Sequence, residues 1–178
     1  MRLRLDTLYT RARRTVVTML DALDGRLLTA LAAQPRAGVL TLARELGVAR
    51  GTVQARLDRM VSSGVIAGFG PDVDLAALGY EVTAFVTLEI VQGRMGDVAD
   101  HLRAIPQVIE VHMVTGVGDL LCRVVARTND HLGAVLAHIL EVPGIGRTTT
   151  MLSLDTVVAR RTGPAVDAVV DPGARRPG

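Results

Sequence analysis

The sequence is poor in several residue types, and each shortage excludes a class of structure. It has no tryptophan, two tyrosines and two phenylalanines among 178 residues, so any hydrophobic core must be aliphatic. Its one cysteine, Cys122, excludes an internal disulfide, and we expect a buried thiol in a cytoplasmic protein. No uninterrupted apolar run approaches the ~18 to 20 residues that a membrane-spanning helix needs. We therefore expect no membrane partner.

Lysine is also absent, and the arginines are unevenly distributed. All twenty basic residues are arginine, which we attribute to a GC-rich, bacterial-type coding bias rather than to function. Residues 1–70 carry eleven arginines and five acidic residues, whereas residues 71–157 carry five arginines and eleven acidic residues. The first part is therefore basic and the second acidic. This division predicts one module that binds a polyanion and one that does not.

The basic part contains a pattern typical of a helix-turn-helix between residues 42 and 69. Gly47 lies where a short helix must end, and Val53, Leu57 and Met60 give a longer second helix one buried stripe. The polar side chains that fall off this stripe are Arg50, Thr52, Gln54, Arg56 and Arg59. Helices of this kind read the major groove of DNA. The alternative is an ordinary helical hairpin whose charges are solvated.

The position of each polar side chain along this second helix suggests its role. Arg50, Thr52 and Gln54, near the start, are our candidates for contacts with base edges. Arg56 and Arg59, further along, are our candidates for contacts with phosphates.

Local signals also set the ends of the helices and the segment that follows them. Asp21 and Asp24 have the spacing of a capping box at the start of a first helix, and Thr41 is a candidate cap for the second. The third helix begins at Ala49, which has no side chain that can cap it. Residues 64–69 predict a short strand that enters a wing. The domain is therefore expected to be a winged helix-turn-helix.

From residue 81 the pattern changes to alternating strands and helices. The predicted elements are a strand over 82–91, a helix over 95–104, strands over 108–115 and 120–126, a helix capped by Asp130, and a strand over 147–157. This β-α-β-β-α-β order is that of a ferredoxin-like fold, with helices on one face of an antiparallel sheet. We expect the other face to be aliphatic and buried against another subunit.

The chain is thus predicted to be an α+β protein of two domains with extra terminal segments. The winged helix-turn-helix domain occupies residues 20–70, a linker 71–80 and the sheet domain 81–158. Residues 1–19 form a basic extension, which is either a flexible arm adding phosphate contacts or a helix packing on a partner subunit. The tail over 159–178, rich in glycine, proline and arginine, is predicted to be disordered.

Five sequence fragments, in this order, resemble the Lrp/AsnC family of feast/famine regulators. They are Leu20, Asp21, Asp24, Leu27, Leu28 and Leu31; Leu42, Ala43, Leu46, Gly47, Val48, Val53 and Arg56; Gly64, Val65, Ile66, Gly68 and Phe69; Thr115, Gly116, Asp119, Leu120 and Leu121; and Pro143, Gly144, Ile145, Thr148 and Thr150. Two positions depart from the family pattern. Ala49 replaces the usual serine at the start of the recognition helix, and Leu120 replaces an aromatic residue that often follows the aspartate.

The resemblance implies a sequence-specific transcriptional regulator of double-stranded DNA that forms homodimers and then tetramers or octamers. Its ferredoxin-like domain, described in the family as ACT-like or RAM, would bind a small effector, commonly an amino acid, and no other cofactor. The implied effector residues are Thr115, Gly116, Val117, Gly118, Asp119, Thr148 and Thr150. Backbone N–H groups of the turn would bind the effector carboxylate, and Asp119 its ammonium group. The alternative is a tight turn that Asp119 merely caps.

Patterns of enzymes are scarce in this sequence. It has no phosphate-binding loop, no complete dinucleotide fingerprint, no HExxH and no pair of cysteines, so we expect no metal site, no catalytic residues and no enzyme. One rival remains, because some proteins resembling this family decarboxylate a haem precursor, and His112 and Arg123 are the residues that would serve. The other rival is a DNA-packing protein that binds without sequence preference and without an effector.

Overall fold

The computed structural model describes residues 19–171 of the chain. The predicted extension over 1–19 therefore lies, apart from Met19, outside the described residues. The described chain forms two compact units, one made of residues 19–71 with 160–171 and the other of residues 72–159. The boundary between them falls at the start of the predicted linker.

The first unit contains the predicted helices α1 (Ala22–Ala33), α2 (Val39–Leu46) and α3 (Arg50–Ser62). The capping box is confirmed, because Asp24 N–H donates to Asp21 Oδ1 at 2.9 Å and Asp21 N–H donates to Asp24 Oδ2 at 3.0 Å. Thr41 is not the cap of α2, since the chain is already helical from Val39 onward. Ala49 precedes α3 in an extended conformation without a side-chain cap, as predicted.

The core of this unit is aliphatic and lies where the three helices meet. Leu27 from α1, Leu42 from α2, and Val53 and Met60 from α3 are each at most 1% exposed. The apolar stripe predicted on the second helix of the helix-turn-helix is therefore the buried face of α3. This packing leaves the opposite face of α3 open to solvent.

The predicted wing strand is wrong: residues 64–70 form no strand. Gly64 ends α3 with a φ of +76°, and Ile66 N–H donates to Met60 O at 3.0 Å, so the segment binds the end of the helix. A strand also needs a neighbouring strand to satisfy its backbone. The described residues of this unit contain none.

The predicted disorder of the tail is wrong for residues Gly163–Val170, which form a helix, α6. Pro164 stands in its first turn, where proline fits a helix best. Val166 and Val170, one turn apart, are half-buried, and α6 packs on α1 within the first unit. Composition predicted disorder because glycine and arginine flank the segment, but the segment itself is mostly alanine and valine.

The second unit has the predicted ferredoxin-like order. Its elements are β1 (Val82–Ile90), α4 (Met95–Ala104), β2 (Val108–Met113), β3 (Leu120–Ala126), α5 (Asn129–Ile139) and β4 (Ile145–Leu152). The strands form one antiparallel sheet in the order β2-β3-β1-β4. The last strand begins and ends earlier than predicted. Thr128, not Asp130, caps α5, because its hydroxyl accepts the N–H of His131 at 3.1 Å.

One face of the sheet is covered by α4 and α5. Val86 and Leu88 of β1, Leu102 of α4 and Ile139 of α5 are each at most 1% exposed and belong to one cluster. Cys122 of β3 is completely buried there, as predicted.

The other face is mixed rather than aliphatic. Phe85 and Thr87 of β1 point away from the helices, and Arg123 and Leu121 lie directly beside them on β3. Met151 pairs with Phe85 from the other side and is half-exposed. Polar and apolar side chains therefore alternate across this open face. In the described part of the chain, no helix is long and apolar enough to cross a membrane.

Candidate functional site

The turn between α2 and α3 has the tight geometry of a helix-turn-helix. Gly47 ends α2 with a φ of +69°, a left-handed conformation that glycine adopts without strain. Val48 N–H then donates to Ala43 O at 3.0 Å, which satisfies a carbonyl at the end of α2. Three residues separate α2 from α3. The first turn of α3 therefore lies directly beside the end of α2.

The start of α3 presents the three predicted base-reading side chains to solvent. Arg50, Thr52 and Gln54 are all exposed. The amide of Gln54 donates to Asp58 Oδ1 at 2.8 Å, so it would have to leave this carboxylate before it could bind a base edge. The structure thus leaves all three candidates accessible, with Arg50 and Gln54 one helical turn apart and Thr52 on another side of the helix.

The two predicted phosphate-binding arginines are held by carboxylates of α1 instead of projecting freely. Arg56 Nη1 lies 2.7 Å from Asp21 Oδ1 and 2.8 Å from Asp24 Oδ1, and Arg59 Nη2 contacts Asp24 Oδ2. The Arg56 side chain is only 24% exposed, in contrast to the outward position that the helical pattern predicted. We call Asp21, Asp24, Arg56 and Arg59 the α1–α3 ion cluster.

The electrostatics of this cluster follow from burial and proximity. The Asp24 side chain is completely buried, and a buried carboxylate is tolerable only with charged partners and hydrogen bonds. The hydrogen bond from Arg56 is the main cause that lowers the pKa of Asp21 to about 2, and the same two carboxylates raise the pKa of Arg56. Phosphate binding by Arg56 remains a prediction, and it would require this ion pair to open.

The candidate effector turn connects β2 to β3. Gly116 and Gly118 have φ values of +108° and +90°, so the turn depends on both glycines. A Cβ atom at Gly116 would meet nothing within 4 Å, whereas one at Gly118 would lie 3.3 Å from Leu88 O. Val117, between them, is 79% exposed. The tip of the turn therefore has room for a ligand, while its base is packed on β1.

Asp119 has a structural role in this turn. Its Oδ2 accepts the N–H of Ile90 at 2.6 Å, and its own N–H donates to Leu88 O at 2.8 Å. The β1–β4 register shifts between Glu89 and Ile90, so the carboxylate binds an N–H at an irregularity of the sheet. An ammonium group would have to share Asp119 with this backbone contact.

The two threonines proposed for the same site lie on β4. Thr148 pairs with Leu88, which pairs in turn with Leu120 beside the turn, and Thr150 pairs with Val86, further along the sheet. β1 separates β3 from β4, so the turn and Thr148 lie roughly 10 Å apart by strand spacing. They share one end of the sheet, but an α-amino acid would need its side chain to reach from one to the other.

His112 and Arg123, which would serve in the alternative enzyme hypothesis, lie on the open face of the sheet. His112 Nε2 and Arg123 Nη1 are each 4.0 Å from the carboxylate of Glu110. Glu110 thus lies near both candidates, and Arg123 Nε is buried without a hydrogen-bond partner among the described residues. An anionic substrate would meet a carboxylate at this place.

Two family profiles match the chain. The AsnC-type helix-turn-helix domain matches residues 20–61, and the Lrp/AsnC ligand binding domain matches residues 83–162. The chain belongs to the Lrp/AsnC family. The first match covers α1 to α3, and the second runs from β1 to the residue before α6.

Relatives of this Lrp/AsnC protein agree with that assignment. An uncharacterised HTH-type transcriptional regulator from Pyrococcus abyssi is 36% identical over 143 residues, which cover 78% of this chain and 95% of the relative. The structure of E. coli AsnC is 28% identical, with a TM-score of 0.76 over 82% of this chain and 99% of AsnC. A feast or famine regulatory protein from M. tuberculosis, complexed with L-methionine, is also 28% identical, with a TM-score of 0.72 over 80% and 97% of the two chains.

The protein is therefore a transcriptional regulator of the Lrp/AsnC type. Its relatives include archaeal as well as bacterial proteins, so membership of the family does not support the predicted bacterial origin.

Two sets of contacts in this Lrp/AsnC chain do not follow from the capping and turn patterns. The spacing of Asp21 and Asp24 predicts a cap, but it also puts two carboxylates on one turn of a helix that must pack beside a basic one. The turn pattern predicts no backbone partner for Asp119, which binds Ile90 of the neighbouring strand. No local pattern links residues so far apart in the chain.

Proposed function

We propose that this regulator binds DNA in a sequence-specific manner and responds to an amino acid through its sheet unit. The observation that carries the proposal is the exposed start of α3, where Arg50, Thr52 and Gln54 are all accessible to solvent in a helix-turn-helix geometry. Arginine and glutamine can bind guanine and adenine edges through two hydrogen bonds each. The strongly basic composition of residues 1–70 supports electrostatic attraction to the duplex.

The proposed binding form is a homodimer that assembles further into tetramers or octamers. Phe85 and Met151 leave about a third to a half of their surface exposed on the open face of the sheet, where a second copy would cover them. Two recognition helices related by a twofold axis would then contact half-sites about one helical turn apart.

The proposed effector is an amino acid bound at the turn between β2 and β3. Support comes from the left-handed Gly116 and the exposed Val117, at a tip with free space, and from Asp119 beside them. A carboxylate has about four lone-pair sites, so Asp119 retains acceptor capacity beyond its bond with Ile90. The M. tuberculosis relative was solved with L-methionine, which makes L-methionine the first probe to use.

Fluorescence anisotropy tests the DNA half of the proposal. The protein is titrated with labelled DNA from upstream of its own gene and with a shuffled duplex of the same composition, at fixed physiological salt. We expect a preference of tenfold or more, which corresponds to ~1.4 kcal/mol. Equal affinity for both duplexes would favour the hypothesis of a DNA-packing protein. No binding to either duplex would favour the hypothesis of an enzyme.

The same assay tests the role of individual side chains. Gln54→Ala should reduce the preference for the upstream DNA over the shuffled duplex. Asp58→Ala is the matched control, because it frees the Gln54 amide from its present partner without removing it. An equal loss of affinity for both duplexes in Gln54→Ala would show that Gln54 contacts the backbone of DNA instead.

A titration with L-methionine, followed by the other amino acids, tests the effector half. We expect at least one of them to change the affinity for DNA or the oligomeric state seen by analytical ultracentrifugation. If no amino acid changes either property, the proposed effector is wrong. The proposal of sequence-specific DNA binding would not be affected.

A further inference from the structure

The helix α6 lies beyond the part of the chain that matches the family. The ligand-binding profile ends at residue 162, and α6 begins at Gly163. Nevertheless α6 is placed in the same compact unit as α1 to α3 and packs on α1. The DNA-binding unit of this protein therefore contains a helix that the family pattern does not supply.

At Gly25, α1 lies directly against Val170 of α6. A Cβ atom at this position would lie 2.7 Å from Val170 Cγ2 and 3.2 Å from Val170 Cβ, and Val170 provides the three nearest atoms. Gly25 is buried in the interior of α1, where glycine is normally disfavoured. The absence of a side chain at Gly25 is what lets Val170 approach α1 this closely.

The sequence of α6 explains why it needs this contact. Isolated helices shorter than ~12 to 15 residues are marginal in water, and α6 has eight residues. Val166 and Val170 lie one turn apart and are its two half-buried residues, whereas Val169 is 59% exposed. The helical conformation of α6 therefore depends on docking through one narrow face.

A groove beside the contact keeps the docking limited. It has a volume of about 460 Å³, and its lining includes Arg26 of α1, Glu45 of α2 and Asp167 of α6. α6 therefore does not fill the space beside α1, and the contact between the two helices is small. We expect one substitution in this contact to disrupt the docking.

We propose that α6 is a fourth helix of the DNA-binding unit, docked on the Gly25 face of α1 in the same chain, and that the docked form is the form that binds DNA. Arg50, Thr52 and Gln54 remain exposed while α6 is docked, so docking does not occlude the proposed base-reading surface. When α6 is docked, the peptide link between residues 159 and 160 becomes a second tether between this unit and residues 72–159, besides the link between residues 71 and 72. A unit held at both ends loses less freedom when two copies bind one duplex.

A disulfide tests the docking directly. The Cβ atoms of a Gly25→Cys/Val170→Cys variant would lie about 3.2 Å apart, a few tenths of an ångström short of the usual disulfide range. The native Cys122 can stay, because burial raises the pKa of its thiol to about 11 and keeps it unreactive. Gly25→Cys/Val169→Cys is the matched control, since Val169 is largely exposed on the same helix.

On mild oxidation we expect the first variant to form an intramolecular bond, and the control to form none. Thiol titration after unfolding should then find one free thiol in the first variant and three in the control. A covalent dimer on a non-reducing gel would place α6 on the α1 helix of a second copy, and three free thiols in both variants would show that α6 is not docked. Either result overturns the proposal.

A second experiment uses the sign of a stability change. Gly25→Ala should lower the melting temperature of the wild-type chain, because the new methyl group meets Val170. In a Val170→Asp background, where α6 should undock, the same change should raise the melting temperature, because alanine favours the helix. A rise of equal size in both backgrounds would refute docking at Gly25.

DNA binding then tests the second half of the proposal, which depends on the proposed function. The oxidised Gly25→Cys/Val170→Cys variant should bind the upstream duplex within twofold of the wild type. Val170→Asp should bind at least threefold more weakly, while Val169→Asp, with the same charge, should not. Tight binding by Val170→Asp, or weak binding by the oxidised variant, would overturn the docked form as the binding form. Loss of DNA binding in every variant and in the wild type would instead overturn the proposed function, and the disulfide result would still decide the docking.

Discussion

Replacing Asp24 by asparagine should weaken the attachment of α3 to α1 without changing the shape of the side chain. The completely buried carboxylate accepts hydrogen bonds from Arg56, from Arg59 and from the backbone of Asp21. An asparagine at this position keeps one acceptor oxygen and replaces the other with an amide that can only donate. The substitution therefore removes the negative charge and at least one charged hydrogen bond.

The expected loss of stability in Asp24→Asn depends on the contacts that Arg56 and Arg59 keep. Breaking a fully buried ion pair costs about 3–5 kcal/mol when a charge is left unpaired. Here Arg56 keeps its 2.7 Å contact with Asp21, and Arg59 is 45% exposed and can be solvated. The loss should therefore approach that of one charged hydrogen bond, about 2 kcal/mol. Two kcal/mol corresponds to roughly a thirtyfold change in the opening equilibrium.

Hydrogen exchange followed by mass spectrometry measures this opening in each unit separately. Amides of α1 and α3 should exchange about thirtyfold faster in Asp24→Asn, while those of β1 and β3 should not change. Asp21→Asn is the matched comparison and should accelerate exchange less, because Asp21 is 55% exposed and asparagine is an equally good helix cap. A change below threefold in α1 and α3, or an equal change in the sheet, would refute the reasoning.

Four further outcomes can be measured. The pKa of Asp21 lies at about 2 in the folded protein, below its usual 3.8, so its contribution to stability is complete above pH 4 and is lost as the pH falls toward 2. Thermal unfolding between pH 5 and 2 should show this loss in the wild type and less of it in Asp21→Asn. Arg50→Ala should cost about 1–3 kcal/mol of affinity for the upstream duplex and narrow its preference over the shuffled one; a uniform loss would make Arg50 a phosphate contact. Arg56→Ala should flatten the salt dependence of DNA binding if Arg56 leaves its carboxylates to bind phosphate, and an unchanged slope with lower stability would assign it to the α1–α3 ion cluster alone. Gly116→Thr should suppress the response to an amino acid without unfolding the sheet, because its φ of +108° disfavours a β-branched residue; a normal response would place the effector elsewhere.

Elements whose limits depend on neighbouring residues could be predicted from the sequence. α4 spans residues 95–104 and β3 spans 120–126, as predicted. Gly93 precedes α4 with a φ of +84°, and Pro106 follows it; β3 is an apolar run that begins directly after a glycine turn. These signals lie within a few residues of the element they limit, so they are readable without the fold.

Contacts between distant parts of the chain could not be predicted in this way. Helical periodicity put Arg56 off the buried stripe of α3, but the partner that draws it inward, Asp21, lies 35 residues away. The prediction of a wing strand is wrong for a related reason. The composition of residues 64–69 favours an extended strand, but no strand lies beside them in the described residues. The sequence does not predict α6, because an eight-residue apolar segment becomes helical only when it packs on another helix.

The arrangement of the two units along the chain has a consequence for synthesis. Residues 72–159 are inserted between the parts of the first unit, so α6 leaves the ribosome long after α3. At about 5–20 residues per second, this interval lasts roughly 5 to 20 s. The core residues Leu27, Leu42 and Met60 come only from α1 to α3, so the three-helix core can form during this interval. The Gly25 face of α1 then stays uncovered until α6 has been made.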